Sequence, residues 1–303
     1  MTYQLSGKVV LITGPARGIG AETARRLAAR GARLSLVGLE PGLLAALAAE
    51  LGGGHVWFEC DVTDQAALDR AVAGTAEALG GIDVVIANAG VASNGTVAVG
   101  PVEALVRTIE VNLTGVVRTV SATLPHVTER RGYYLLVSSA AALAPFPGIS
   151  TYAAAKSGVE QFGNVLRLEV AHKGVGVGVA HPSWVDTDLV RDAQSDLAGF
   201  REMLGKLPGP FGRVTPLGEC ADAFVHAVER RKRKVYVPRT LAAAAAVRQL
   251  FASPLADFIM GRQTRRTLPQ VEAEVRALGR SFGAHSMGHG SKPAAGEGET
   301  REG

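Results

Sequence analysis

Short apolar runs alternate along this chain with longer stretches in which apolar positions recur at helical spacing. Val9-Val10-Leu11-Ile12 predicts a first strand, residues 18 to 30 a helix stopping at Gly31, Leu34-Ser35-Leu36-Val37 a second strand, and Pro41 to Leu51 a second helix. The alternation continues with Val56-Trp57-Phe58, a helix from Asp64 to Leu79 with Asp64 as its candidate cap, and Val84-Val85-Ile86-Ala87. A long helical region from Val102 to Arg130 follows, then Leu135-Leu136-Val137, a helix from Thr151 to His172, and an apolar run from Val175 to Val179. A helix near Leu217 to Arg230 and the strand Val235-Tyr236-Val237 complete the series. Seven strands separated by helices is the order of an α/β fold, a doubly wound parallel sheet with helices on both faces.

After Val237 the pattern changes. Residues 241 to 260 hold an alanine run and then Leu250, Phe251, Leu255, Phe258, Ile259 and Met260, interrupted by Pro254. Proline breaks a continuous helix, so the expectation is two short helices packed on the domain or on a neighbouring subunit; a lid over an apolar substrate and an interfacial membrane anchor are the alternatives. From Gly283 onward small and polar residues dominate, which predicts disorder and gives His285 and His289 no fixed site. The expected organisation is therefore one domain over 1–240, a C-terminal helical extension over 241–282 and a tail over 283–303.

Composition narrows the function classes. At 303 residues, 47% hydrophobic and 20% charged, the chain can bury a substantial core. Its net charge of +4, from 32 basic and 28 acidic residues, is too small to imply nucleic acid as a partner. The basic run Arg230-Arg231-Lys232-Arg233-Lys234 reads as a helix end, where cations suit the negative terminus. Cys60 and Cys220 form no CxxC pair, so neither a disulfide framework nor a zinc site is indicated, and no metal is expected. The N-terminus passes directly into a strand without a secretory apolar run, and no segment has membrane-spanning length. Cytoplasmic location is the expectation, with weak peripheral membrane association left open by the C-terminal segment.

Two motifs carry chemistry. The first strand runs into Thr13-Gly14-Pro15-Ala16-Arg17-Gly18-Ile19-Gly20. Glycines there let the backbone turn sharply and approach a pyrophosphate, while the following helix points free amides and its positive end at the same anion; this is a dinucleotide site in a Rossmann-like setting. The second motif is Tyr152-Ala153-Ala154-Ala155-Lys156. Residues four apart share a helix face, and an ammonium beside a phenol favours the phenolate and brings a group of ordinary pKa about 10 nearer the working range. Taken alone, the same spacing also describes an aromatic and a lysine on an ordinary helix surface.

With these residues in place the chain resembles the short-chain dehydrogenase/reductase family from about Lys8 to Val237. Thr13, Gly14, Gly18 and Gly20 match the family's cofactor turn, with Arg17 and Ile19 inside it. Asp61-Val62 stands where the family contacts adenine, and Asn88-Ala89-Gly90 where it supports the sheet against the cofactor. Asn112 matches the structural and proton-relay asparagine, and Ser139 precedes Tyr152 by the family's separation. The resemblance implies a hydride-transfer enzyme acting on an alcohol or a ketone. Tyr152 would exchange the proton, Ser139 orient the oxygen, Lys156 lower the tyrosine pKa and hold the ribose hydroxyls, and Asn112 fix a water. After the sixth strand, His181-Pro182-Ser183-Trp184-Val185-Asp186-Thr187 implies nicotinamide contacts at Pro182, Val185 and Thr187, although Ser183 replaces the usual glycine.

Cofactor choice turns on the end of the second strand, where Gly38 and Leu39 stand in place of the usual acid. Arg17 could pair with a phosphate there and Glu40 argues against it; NADP is placed ahead of NAD. Residues 188 to 215, with Phe200, Met203, Leu204, Leu207 and Phe211, read as a substrate loop of apolar character, and Trp184 could face the substrate. The family's habit of pairing through the helices equivalent to 102–130 and 151–172 implies a homodimer or homotetramer. A catalytically silent dinucleotide-binding protein on the same fold is the alternative, since fold alone does not specify function.

Overall fold

The computed structural model describes residues 3–284, without 94, 206, 208 and 252 and without the side chains of 203, 210 and 263. The tail from 285, with His285 and His289, lies outside the described residues. Seven strands form one sheet: β1 (Val9–Thr13), β2 (Arg33–Gly38), β3 (Val56–Glu59), β4 (Val84–Ala87), β5 (Tyr133–Val137), β6 (Gly176–Pro182) and β7 (Lys234–Val237). Their spatial order is β3-β2-β1-β4-β5-β6-β7 and every pairing is parallel. Every residue of β1, β4 and β5 is buried, because helices cover both faces of a parallel sheet and its central strands need no polar side. One face is filled by Val10, Ile12, Leu34, Leu36 and Phe224, the other by Leu11, Val37, Val85, Tyr134 and Leu136.

The covering helices are α1 (Gly18–Ala28), α2 (Pro41–Leu51), α3 (Gln65–Leu79), α4 (Val102–Ile109), α5 (Gly115–Glu129), α6 (Ser150–Glu169), α7 (Asp188–Asp196), α8 (Ala198–Gly205) and α9 (Leu217–Arg230). Asp64 caps α3 by accepting from the Ala67 amide at 3.1 Å, and Gly80 ends it in the left-handed conformation. The helical region expected from Val102 to Arg130 is not continuous α-helix: Glu110–Thr114 form a π turn between α4 and α5. Strand order reverses between β1 and β4, which opens a crevice at their C-terminal ends, the usual ligand position in an open α/β sheet.

Beyond β7 the structure corrects the expectation of two short helices. Helices α10 (Leu241–Ala246) and α11 (Arg248–Phe251) are short, but α12 (Pro254–Leu278) runs for 25 residues. Pro254 stands at the start of α12, where its missing amide costs nothing, and Ser253 caps the helix by accepting from the Ala256 amide at 3.3 Å. Pro269 lies inside α12 on an exposed position, while Val271 and Val275 pack on Leu197, Phe200 and Leu204 and hold the helix together through it. Glu272 accepts from the Thr96 hydroxyl at 2.7 Å and Glu274 from the Gly199 amide at 3.0 Å, so the second half of α12 is tied to the loop after β4 and to α8.

Candidate active site

The crevice begins where β1 ends. Thr13 Oγ1 accepts from the amides of Asn88 at 3.0 Å and Ala89 at 3.1 Å, and Asn88 Nδ2 donates to the carbonyls of Thr13 and Gly14. These bonds pin β4 to the turn after β1. Gly14 has a φ of +65°, and a Cβ there would lie 2.8 Å from the Ala89 Cα. At Gly20 a Cβ would lie 2.5 Å from the Gly14 carbonyl oxygen, so the turn packs against its own helix only with glycine. Helix α1 starts at Gly18 with no side-chain cap and no acid in its first turn, which leaves its amide end open to an anion.

Further along the crevice Asp61 accepts from Arg107 at 2.6 Å and from the amide and hydroxyl of Thr63. Burial pushes its carboxyl up in pKa, but the Thr63 amide and the Arg107 guanidinium outweigh that and hold it below the usual range. Arg107 reaches here from α4 and was not anticipated from the sequence. Nothing local marks it, because it comes into place through packing of α4. Val62 fits against Gly115, where a Cβ would lie 2.7 Å from Val62 Cγ2. At the end of β2 Arg17 pairs with Glu40, and its other arm lies 3.9 Å from Asp188 at the start of α7.

Helix α6 places Tyr152 and Lys156 on one face below the end of β5. Lys156 is 3% exposed, and its Nζ donates to the Val137 carbonyl at 2.9 Å and lies 5.6 Å from the Tyr152 ring centre. Burial lowers its pKa to about 8. The Tyr152 pKa is raised, burial outweighing the pull of the Ser139 hydroxyl. Burial works against the expected pull of Lys156 on the phenol: the same burial that raises the phenol weakens the ammonium. Ser139 accepts from the Ala141 amide at 3.1 Å, which fixes it at the end of β5.

Asn112 sits in the π turn and is fully buried. Its Nδ2 donates to the carbonyls of Val91 at 2.6 Å and Thr108 at 2.7 Å, while its Oδ1 has no protein partner. A Cβ at Gly90 would lie 2.6 Å from that Oδ1 and 3.5 Å from Lys156 Nζ, so Gly90 keeps open a small space shared by the two polar groups.

On the opposite wall the Ser183 amide donates to the Val237 carbonyl at 2.8 Å, so the backbone holds its path with serine in the family's glycine position, while the Ser183 hydroxyl is buried without a partner among the described residues. Val185 pairs with Thr215, and the Thr187 amide donates to the Val185 carbonyl at 2.7 Å. The crevice, about 240 Å³, is lined by Gly14, Arg17, Gly18, Ile19, Asp61, Val62, Asn88, Ala89 and Gly90 and, across from them, by Asn112, Ser139, Tyr152, Lys156, Pro182, Val185 and Thr187. Gly20 is the expected site residue that does not reach the wall; it acts beneath it.

Leu189 and Val190 also line a second chamber of about 120 Å³, walled by Phe146, Trp184, Phe200, Met260, Leu268 and Val271. Trp184 stands edge-on to Phe200 at 5.2 Å, and among the lining residues of this chamber none is charged. Further along the same face of α6, Glu160 lies one turn beyond Lys156 and is 4% exposed. It pairs with Arg248 of α11 at 3.0 Å and Lys234 at 3.2 Å and lies 3.6 Å from His181 Nε2. Burial pushes its pKa up, but these partners win and hold it at about 2.

A seven-stranded parallel sheet with a glycine turn at its switch point, and a serine, tyrosine and lysine across the crevice, defines a Rossmann-like α/β protein. The model of the short chain dehydrogenase family matches residues 8–198, and the chain belongs to that family of oxidoreductases. It is 32% identical over 231 residues to a trans-4-hydroxycyclohexanecarboxylate dehydrogenase of Sinomonas cyclohexanicum, covering 73% of this chain and 86% of that one. It is 35% identical over 231 residues to a glycine betaine reductase of Emericella nidulans, covering 75% of this chain but only 18% of that much longer protein. Among solved structures, a 3-ketoacyl-(acyl-carrier-protein) reductase from Brucella melitensis complexed with NADH superposes with a TM-score of 0.70 at 26% identity, over 77% of this chain and 97% of the other.

Proposed function

We propose that the protein transfers a hydride between a nicotinamide cofactor and an apolar alcohol or ketone, with Tyr152 exchanging the proton. The observation that carries this reading is the single crevice onto which the glycine turn, Ser139, Tyr152 and Lys156 all open, next to an apolar chamber. The residues fit such a cofactor. The amide end of α1 and the Gly14, Gly18 and Gly20 turn suit a pyrophosphate, Asp61, Val62 and Arg107 bound the adenine end, and Pro182, Val185 and Thr187 bound the nicotinamide end. When bound, the nicotinamide supplies or accepts the hydride.

The chain's own residues do the rest. Ser139 and the Tyr152 hydroxyl hold the substrate oxygen. Burial keeps Tyr152 protonated at neutral pH, so it is poised as a donor when a carbonyl is reduced. In the reverse direction Lys156 would act on it: a bond from Nζ to the cofactor's ribose hydroxyls would favour the charged lysine, and the charged lysine would favour the phenolate. The unpartnered Asn112 Oδ1 suits a water that passes protons between Lys156 and solvent.

The Arg17–Glu40 pair supports the opposite order of cofactors to the one read from the sequence. Glu40 occupies the guanidinium a ribose phosphate would need and its charge repels one, whereas a ribose diol donates to it; the reading is NAD ahead of NADP. Val117, Val165 and Leu168 are exposed on α5 and α6, which supports a homo-oligomer formed through those helices.

The test is a cofactor-linked absorbance assay with apolar alcohols and ketones, wild type against Tyr152→Phe. The variant is expected to bind cofactor by fluorescence titration and to lose turnover by about a thousandfold or more. Full activity in the variant refutes the role of Tyr152, and cofactor binding without turnover in the wild type supports a silent binding protein instead.

A further inference from the structure

The two faces of α12 are used differently. Its inner face, at Met260, Thr264, Leu268 and Val271, roofs the apolar chamber. Its outer face carries Leu255, Phe258 and Ile259, exposed at 68%, 65% and 59%, and Leu250 on the adjoining α11 is 65% exposed. Burying that much apolar side chain is what drives folding, yet nothing among the described residues covers these side chains.

The next turns of the same outer face supply a second feature. Arg262, Arg265 and Arg266 project from the stripe begun by Leu255, Phe258 and Ile259 and are all exposed. None of the three makes an ion pair among the described residues. The acids of the second half, Glu272 and Glu274, are engaged by Thr96 and Gly199. An exposed apolar tip beside exposed arginines complements an anionic membrane interface, with the apolar residues reaching the acyl boundary and the long arginines snorkelling to anionic headgroups.

We propose that α11 and the first half of α12 dock the protein on an anionic phospholipid surface. The roof of the apolar chamber then lies against the bilayer. This assignment of the chamber rests on the function proposed above; the docking itself rests on the exposed residues. A second copy of the chain explains less, because a two-fold axis through the apolar tip would bury Leu255, Phe258 and Ile259 but would leave the arginines of both copies without a role. A carbonyl or alcohol that dissolves in the bilayer would reach the chamber without crossing water.

The experiment is vesicle flotation of the full chain. Wild type is expected to float with vesicles of phosphatidylcholine containing about 30 mol% phosphatidylglycerol, far less with pure phosphatidylcholine, and to be released by about 0.5 M salt. Phe258→Ser with Ile259→Ser should lower the partition coefficient at least about tenfold. Arg262→Gln, Arg265→Gln and Arg266→Gln together should lower it by about a hundredfold on the anionic vesicles alone. Thermal melts check that both variants fold, and neither changes a residue on the crevice or the chamber. Wild type remaining in the soluble fraction with both vesicles overturns the proposal. So does a wild-type dimer that the serine variant makes monomeric without any flotation. Turnover of a water-soluble ketone, measured in parallel, separates the two readings. Flotation without turnover refutes the enzyme and keeps the docking, and turnover without flotation does the reverse.

Discussion

Lys156 is held where its charge is disfavoured, and this should make it a cost to the cofactor-free protein. Its pKa falls from 10.5 to about 8, with burial as the cause. A lysine whose folded value lies below its unfolded one binds fewer protons when folded, so stability rises with pH between the two values. At about pH 7 the charged side chain costs the fold about 3 kcal/mol, and by about pH 10 most of that cost is gone, a gain of about 2.5 kcal/mol. Lys156→Met keeps the stem and removes the titration, while losing the bond to Val137 and the contact with the Tyr152 ring, worth together about 2 kcal/mol. The variant should therefore be slightly more stable than wild type near neutral pH and less stable near about pH 10, while being inactive throughout. Urea unfolding of both proteins without cofactor, across that range, gives the difference directly, and titrations elsewhere in the chain cancel in it. A wild-type minus variant difference that stays flat with pH refutes the reasoning, because the lysine would then sit in an environment no drier than the unfolded chain.

Other parts of the site give further expectations. Glu160→Gln leaves the half-exposed Lys234 and Arg248 without their buried partner and should cost about 1–3 kcal/mol in urea unfolding. Because the folded pKa of Glu160 lies below its unfolded value, its contribution is present above about pH 4.5 and lost as pH falls toward about 2, so the acid limb of the variant should be shallower. Gly90→Ala puts a Cβ 2.6 Å from Asn112 Oδ1 and should lower stability by about 1–3 kcal/mol and weaken cofactor binding, read by thermal melting and fluorescence titration. Glu40→Gln frees Arg17 and should raise kcat/KM with NADP relative to NAD by about fivefold to tenfold; a wild type that already prefers NADP removes the basis for this.

The sheet was legible because its strands are apolar along their whole length and its helices are punctuated by groups with fixed backbone roles, such as Gly31, Asp64 and Gly80. The crevice was legible because close approach of backbone to backbone can be met only by glycine at Gly14 and Gly20, and that demand shows in the sequence. The partners of the charged groups were not. Arg107 meets Asp61, and Arg248 meets Glu160, only because helices far apart in the chain pack together. The length of α12 was hidden by Pro254, which in sequence reads as a break between two short helices and in the structure stands at the start of one long one. The raised pKa of Tyr152 was missed for a related reason: spacing reveals the neighbouring charge but not the loss of water around both groups.

The π turn at Glu110–Thr114 makes the site depend on the number of residues in a helix as well as on their identity. A π turn holds one residue more than a regular turn, so α4 and α5 are two parts of one rod, offset in rotation by about 100°. Deleting one residue of the turn other than Asn112 would let the rod close into regular α-helix. Arg107 and the buried Thr108 would then swing relative to Thr119 and Thr123, and the Asn112 amide would lose either Val91 or Thr108 as acceptor. A change that improves the helix locally would thus misalign both ends of the crevice, the adenine end through Arg107 and the lysine end through Asn112.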